Sequence, residues 1–444
     1  MTFIRPARRV LITAASISAL LFAAACGGGS DTPSSGTASG GAADFSQQGD
    51  IEYWVGKDTS ANQNVSKVIA KFNASHPQGK VTYHELPDDA DQQRQQMIQN
   101  TQIKNPKMGV LSVDVVWTAE FAAKGYVEAL PADQFPTDTF LPATVASATY
   151  FNKLYAYPVS SDGGLLYYRK DLLDKYNLKP PTTFDEMKTA CDTVQAGEKD
   201  DELDCFAGQY QKYEGLTVNF AEAVNGAGGV IVGDDGKPNV ATPEAAKGLQ
   251  TLADWFKDGT IPKAATTWKE EEGRKAFQSG KLIFHRNWGY VYNIAQKTDG
   301  SSKVAGKFGV APLPGIVGPG VSSLGGHNAA IAKNAENKGT AADFLKFLAA
   351  EPQQKSSAIN AAQTPTIATI YTDADAVKAL PYLPIQLKSV EGAKPRPIAV
   401  EYGDVSLAIT DAAYSALQAG ANGQTADAAA TLQTLQTKLQ TLIK

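Results

Sequence analysis

From Ile51 onward, short β-branched or aromatic runs alternate with segments whose apolar residues recur at helical spacing, and this alternation confines the chain to an α/β architecture. IEYWV at 51–55 reads as a strand. It leads into a helix carrying Val65, Val68, Ile69 and Phe72 on one face before Pro77. A second strand near Val81 to His84 precedes a Gln-rich helical stretch, and GVLSVDVVW from Gly109 reads as a buried strand. Thr242 and Pro243 have the look of an N-cap and first helical position, with Leu249, Leu252, Ala253 and Phe256 following on one face. A helix over about Trp268–Ser279 feeds the strand LIFHRNW. Later helices carry Phe344, Leu345, Phe347 and Leu348, then Val405, Ala408, Ile409 and Ala412, then Leu432, Leu435, Leu439 and Leu442. No period of 20–50 residues repeats, which excludes a solenoid or propeller. With 444 residues there is chain for two or three cores, and the Gly/Pro-rich run VAPLPGIVGPGVSSLGG (310–326) marks a crossover between folded stretches.

The N-terminus reads as an address. Arg5, Arg8 and Arg9 precede VLITAASISALLFAAA, which suits a signal peptide and falls short of the roughly 20 residues that span a bilayer. The run ends in Ala23, Ala24, Ala25 and Cys26, which resembles the bacterial lipobox, so residues 1–25 are expected to be removed and Cys26 lipidated. Residues 26–49 are rich in Gly, Ser, Thr and Ala and read as a flexible tether, with the folded part beginning near Asp50. Loss of the three arginines leaves 38 basic against 46 acidic side chains, a net charge of about −8, which argues against a nucleic-acid partner. Outside the cytoplasm the two remaining cysteines, Cys191 and Cys205, are expected to form a disulfide worth roughly 3 kcal/mol. Two buried free thiols are the competing reading.

Signatures of catalysis are missing. No Gly-Lys pair completes a P-loop, NGAGG at 225–229 lacks the third glycine of a dinucleotide site, and GxSxG, HExxH and SxxK do not occur. Four histidines, none paired at ligand spacing, argue against a metal site, and no cofactor is expected. Adjacent acids such as Asp88 with Asp89, or Glu270 with Glu271, read first as solvated surface, with glycoside hydrolysis as the chemical alternative.

Six ordered segments go further: DVVWTAEFAAKGYVEAL from Asp114, YAYPVSSDGGLLYYRKDLL from Tyr155, YEGLTVNFAEAVNGAGG from Tyr213, EEEGRKAFQSGKLIFHRNW from Glu270, LGGHNAAIAKNA from Leu324 and KPRPIAVEYGDVSLAI from Lys394. Together with the lipobox and tether, the set resembles the solute-binding proteins of bacterial ABC sugar importers, and within them the trehalose/maltose-binding branch. The resemblance implies a two-lobed, type II periplasmic-binding-protein-like α/β fold with a hinge and an interlobe ligand cleft. The lobes are expected at 50–158 plus 312–358 and at 159–311 plus 359–444, joined by crossovers near Pro158, Pro312 and Ala358. It implies a lipid-anchored carrier on the extracytoplasmic face of the cell membrane, monomeric and not an enzyme. Its ligand would be an α-linked glucose disaccharide and its partners the transmembrane subunits of a permease. A secreted glycoside hydrolase and a carrier of a non-sugar solute are the rivals.

A glucosyl ring offers hydroxyl edges to carboxylates, amides and guanidinium groups, and C–H patches to an aromatic face. By resemblance, Asp114 at a strand end, Asp162 with Ser160 two residues before it, and Glu270 are sugar-binding positions, and Trp288 is the stacking platform. Tyr213 is expected to stack or to donate its hydroxyl. Glu214 either contacts sugar or simply favours a helix N-terminus. Gly325 and Gly326 would bring backbone amides close to the ligand. His327 stands where related proteins often carry a tryptophan or an aliphatic residue, and either bonds a hydroxyl or points away. Arg396 matches an arginine clamp whose fork spans two hydroxyls. Asp88 is a further candidate contact, Glu271 and Glu272 are read as solvated, and Trp117 is assigned to the core. The segment Lys57 to Asn62 has no clear counterpart.

Overall fold

The computed structural model describes residues 43–60 and 62–443. The leader, Cys26 and the first part of the tether lie outside them. Residues 45–49, expected in the tether, are packed: Phe45 meets Phe135 edge-on at 6.1 Å, and Gly49 N–H donates to Thr340 Oγ1 at 3.0 Å. Burying one aromatic ring and pairing that amide start the fold before Asp50.

The strands are β1 (Ile51–Gly56), β2 (Val81–Leu86), β3 (Met108–Asp114), a hairpin of β4 (Thr149–Tyr150) and β5 (Lys153–Leu154), and β6 (Tyr157–Gly163). They continue with β7 (Leu165–Arg169), β8 (Asp204–Ala207), β9 (Leu282–Asn287), β10 (Phe308–Pro312) and β11 (Leu324–Ile331). Among the described residues β2-β1-β3-β11-β6 form one sheet and β10-β7-β9-β8 a second. β1 pairs parallel with β2 and β3, each through a covering helix, while β11 enters antiparallel between β3 and β6. Six of the seven β3 residues are buried, as for a strand covered on both faces, and only the terminal Asp114 opens outward.

The chain passes between the two sheets in three places. Val159 to Gly163 continue β6 in the first sheet, paired with β11, so the chain changes sheets at Gly163–Leu165 and not at Pro158. It returns between Pro312 and Leu324. Ala358 lies inside helix Glu351–Ala361, and the third passage begins only beyond it, where Ala362 adopts φ 54° and Ser161 N–H donates to Thr364 O at 3.1 Å. Helix propagation carries the chain past the expected break.

Helices Glu214–Gly226, Pro243–Lys257 and Tyr402–Ala421 pack against one another, while helix Glu270–Gln278 packs on β9 and helix Leu383–Glu391 on β10. Pro243–Lys257 starts as its sequence requires, with Thr242 Oγ1 accepting from Ala245 N–H at 3.2 Å and proline at the first turn. The NGAGG run ends helix Glu214–Gly226, with Gly228 at φ 92°. Cys191 and Cys205 are bonded, tying helix Phe184–Glu198 to β8 across a Cα separation of 5.3 Å. Trp117 is 1% exposed and belongs to the core.

Candidate functional site

A cavity of about 610 Å³ opens between the two sheets, within the ~300–1,000 Å³ usual for ligand clefts. Its walls include Asp88, Asp114, Ser160, Asp162, Glu214, Glu270, Trp288, Gly325, Gly326, His327 and Arg396, drawn from strand ends and helix starts far apart in sequence.

β11 explains part of the convergence. His327 lies opposite Asp114 on β3, and Gly325 opposite Asp162 on β6, so one strand sets both acids on the same face of the sheet, two residues apart along it. Asp162 accepts from the Thr364 hydroxyl at 2.6 Å, and burial raises its pKa. Ser160 Oγ accepts the His327 N–H at 3.1 Å, so its oxygen holds the strand as well as lining the wall. Both glycines line the cavity, and their missing side chains also shape its wall. A Cβ at Gly325 would meet the Trp288 ring at 2.9 Å, so its bare face is what seats the indole. Gly326, at φ 106°, would strike the Ser160 carbonyl at 2.3 Å if it carried a side chain.

Trp288 follows β9 and is half-buried. Asn287 Oδ1 accepts its N–H at 2.8 Å, and the Asn287 amide in turn donates to His285 Nε2 at 2.9 Å. Burial lowers His285 to about 3, so it is neutral and its Nδ1–H donates to Ala207 O at 3.0 Å. The Arg286 guanidinium lies 3.9 Å from the Trp288 ring centroid, closing one face of the indole and leaving the other to the cavity.

Arg396 departs from the expected clamp. At 2% exposure it is bound into an ion triad, with Nη2 donating to Asp114 Oδ1 at 2.9 Å and Nη1 paired with Glu214. Burial opposes its charge, yet the two carboxylates hold it above the ordinary arginine range. Its Nε–H has no partner among the described residues. Glu214 is consumed in the same way, accepting from Tyr402 at 2.5 Å and Ser406 at 2.6 Å. These donors occupy the carboxylate, so its position on the wall does not make it a free acceptor.

Tyr213 is not on the cavity wall. Its extended backbone at the start of helix Glu214–Gly226 turns the ring inward against Gly215, leaving it 4% exposed. Glu270 does reach the cavity, and burial raises its pKa. Glu271, read as solvated, is held by Arg274 Nε at 2.9 Å and the Tyr290 hydroxyl at 2.8 Å. Glu272 caps its own helix by accepting Lys269 N–H at 3.1 Å. Asp88 is exposed at the rim, 4.0 Å from Lys57 Nζ.

Sequence reasoning missed other parts of the wall: Lys57, Asp58, Ser60 and Asn64 after β1, and Thr364 in the third passage. It also missed contacts across the cleft. Lys269 Nζ donates to Asp89 Oδ2 at 2.6 Å, joining the start of helix Glu270–Gln278 to the cap of helix Ala90–Gln102. Beside it, burial and the nearby Glu214 and Asp89 carboxylates push Asp91 up to about 6. The folded protein therefore binds an extra proton between about pH 4 and 6, and stability falls as pH rises through that window. Asp91→Asn is expected to gain on the order of 2 kcal/mol at pH 7 and nothing at pH 4, measured by urea unfolding at both values.

No group of His, Cys, Asp or Glu among the described residues is placed to hold a metal ion, and none of the described helices is long and apolar enough to cross a membrane.

Residues 56–355 match the bacterial extracellular solute-binding protein family. A probable ABC transporter-binding protein of Deinococcus radiodurans is 36% identical over 346 residues, 75% of this chain and 80% of that one. The maltose-bound MalE3 of T. maritima superposes with a TM-score of 0.82 at 32% identity, covering 88% of this chain and 99% of the other. The GacH receptor of Streptomyces glaucescens, with a complex with acarbose described, matches at a TM-score of 0.76 and 22% identity over 88% of this chain and 99% of its own, a likeness of fold.

Proposed function

This chain belongs to the bacterial extracellular solute-binding proteins, and from that premise we propose that its cleft captures an α-linked glucose disaccharide of the maltose or trehalose type for an ABC importer. The observation that carries the reading is the pairing of one open indole face, Trp288, with the carboxylates of Asp114, Asp162 and Glu270 in a cavity of about 610 Å³. The aromatic face takes the C–H side of a pyranose, and the acids accept from its hydroxyls. Likeness to a maltose-bound protein at 32% identity supports the choice of sugar.

In this reading the first sheet with its helices and the second with its own form two lobes that close on the sugar, and the closed form docks on the permease. The protein is monomeric, is tethered outside the cytoplasm through a lipid on Cys26, and returns its ligand chemically unchanged. Family members and structural neighbours are binding proteins.

Thermal unfolding with and without millimolar maltose, trehalose, sucrose, maltotriose, glucose or a peptide mixture tests the reading. A sugar at a hundred times its dissociation constant adds about 2.7 kcal/mol to the folded state. A shift confined to one disaccharide is the expected result and identifies the linkage. A shift with peptides alone, or with no sugar, overturns it. Recovery of labelled disaccharide as free glucose would overturn the carrier reading in favour of hydrolysis.

A further inference from the structure

The Arg286–Glu222 ion pair lies where the ligand platform meets two of the passages between the sheets. Arg286 Nε donates to Glu222 Oε2 at 2.8 Å and Nη2 to Oε1 at 2.5 Å, a two-pronged contact with both side chains largely buried. Arg286 Nη1 is held by Gln209 Oε1 at 3.0 Å, so the guanidinium plane is fixed from two sides. That plane covers one face of Trp288, 3.9 Å from the ring centroid. The opposite edge of the indole rests on Gly325. With guanidinium on one side and bare β11 backbone at the edge, the ring has one orientation, and its free face looks into the cavity.

The same carboxylate reaches both crossovers. Glu222 Oε1 accepts the Ser323 N–H at 3.1 Å, in the passage from β10 to β11. Gly164, the residue between β6 and β7, has no room for a Cβ because Arg286 Nη2 and Glu222 Oε1 would lie 2.6 and 2.9 Å from it. Gly164 N–H also donates to Ser322 Oγ at 2.5 Å, stapling one crossover to the other beside the ion pair. A buried ion pair is a poor way to add stability, and what this pair fixes is geometry.

We propose that Arg286 and Glu222 are positioning residues that orient Trp288 for the ligand and couple its plane to the two crossovers on which the lobes move. This rests on the reading of the cavity as a sugar cleft. The coupling runs through direct contacts, from indole to guanidinium to carboxylate to the Ser323 amide. A ligand that presses on the open indole face therefore acts on groups in contact with both crossovers.

The test uses the full chain carrying Arg286→Met together with Glu222→Gln, which removes both charges and avoids leaving one buried alone, alongside Arg286→Lys and Trp288→Ala. Maltose and trehalose are the probes, with affinity by calorimetry. The Trp288 signature is the near-UV circular dichroism difference between each protein and the same protein carrying Trp288→Phe, recorded without sugar. The expected result is a cooperative unfolding transition near that of the parent, a Trp288 signature that is weakened or inverted, and affinity reduced at least tenfold. Arg286→Lys, which keeps charge but lacks the planar fork, is expected to restore neither. An unchanged Trp288 signature overturns the proposal, whether or not either sugar binds. Parental affinity in the charge-free variant, with Trp288→Ala unable to bind, overturns the brace and leaves the sugar cleft standing. Parental affinity in Trp288→Ala defeats the cleft reading itself.

Discussion

In a protein carrying Asp162→Ala and Trp288→Ala together, calorimetry with maltose or trehalose is expected to show no binding while the fold survives. A carboxylate bonded to a ligand hydroxyl contributes about 1.5–3 kcal/mol, and an aromatic contact about 0.5–1.5 kcal/mol beyond the area it buries. Their joint removal weakens binding roughly a hundred- to thousandfold, each 1.4 kcal/mol being a factor of ten. The fold has little to lose. Asp162 is a carboxylate whose pKa burial already raises, so alanine there removes a desolvated charge and orphans only the Thr364 hydroxyl. Trp288 is half-buried, and its loss uncovers Arg286, which keeps Glu222 and Gln209. Unchanged affinity in the double variant would refute the site. Lost affinity with a collapsed unfolding transition would assign the two residues to structure.

The parts of this site that were legible in the sequence are those fixed by local rules. Asp114 ends one fully buried strand and Trp288 follows another, so strand ends could be located and the residues there singled out. Periodicity located helices Pro243–Lys257 and Tyr402–Ala421, and the resemblance located His327 and Gly325. What escaped depends on direction or on distant partners. Tyr213 has the right neighbours, but the backbone angle at a helix cap decides whether its ring faces the cavity or Gly215, and no spacing encodes that angle. Lys57, Asp58 and Ser60 sit in a loop with no period that leads into helix Asn64–Ser75, where Asp58 is spent accepting the Ser60 and Val65 amides at 3.0 and 2.8 Å. Arg286 in the middle of LIFHRN gave no hint of Glu222, 64 residues away in sequence. Pro158 and Ala358 lie inside a strand and a helix, because an element continues until its pairing ends, and pairing is a property of the whole fold.

Arg396 separates two ideas of what an arginine in a ligand cleft is for. If its fork grips two ligand hydroxyls, replacing it costs affinity and leaves the ligand-free protein as stable as before. The structure has that fork engaged with Asp114 and Glu214 in a site almost closed to water. Arg396→Met then leaves two carboxylates buried near each other, each raising the other's cost of ionisation, and breaking such an arrangement typically costs 3–5 kcal/mol. Spread over the unfolding entropy of a chain this long, that is a fall in Tm of roughly 5 °C at pH 7 without any ligand. The deficit is expected to shrink as the pH is lowered, because the unpaired carboxylates take up protons in the folded state that they would not bind when unfolded. Arg396→Lys recovers little, since a compact ammonium lacks the fork that lets Nη1 reach Glu214 while Nη2 reaches Asp114 and, at 3.3 Å, the Leu324 carbonyl. Adding Asp114→Asn and Glu214→Gln to Arg396→Met removes the stranded charges and is expected to restore most of the lost Tm. Recovery of stability without recovery of sugar binding would locate the triad's worth in holding Asp114 at the cavity wall. A ligand-free Tm unchanged by Arg396→Met would return the arginine to the ligand.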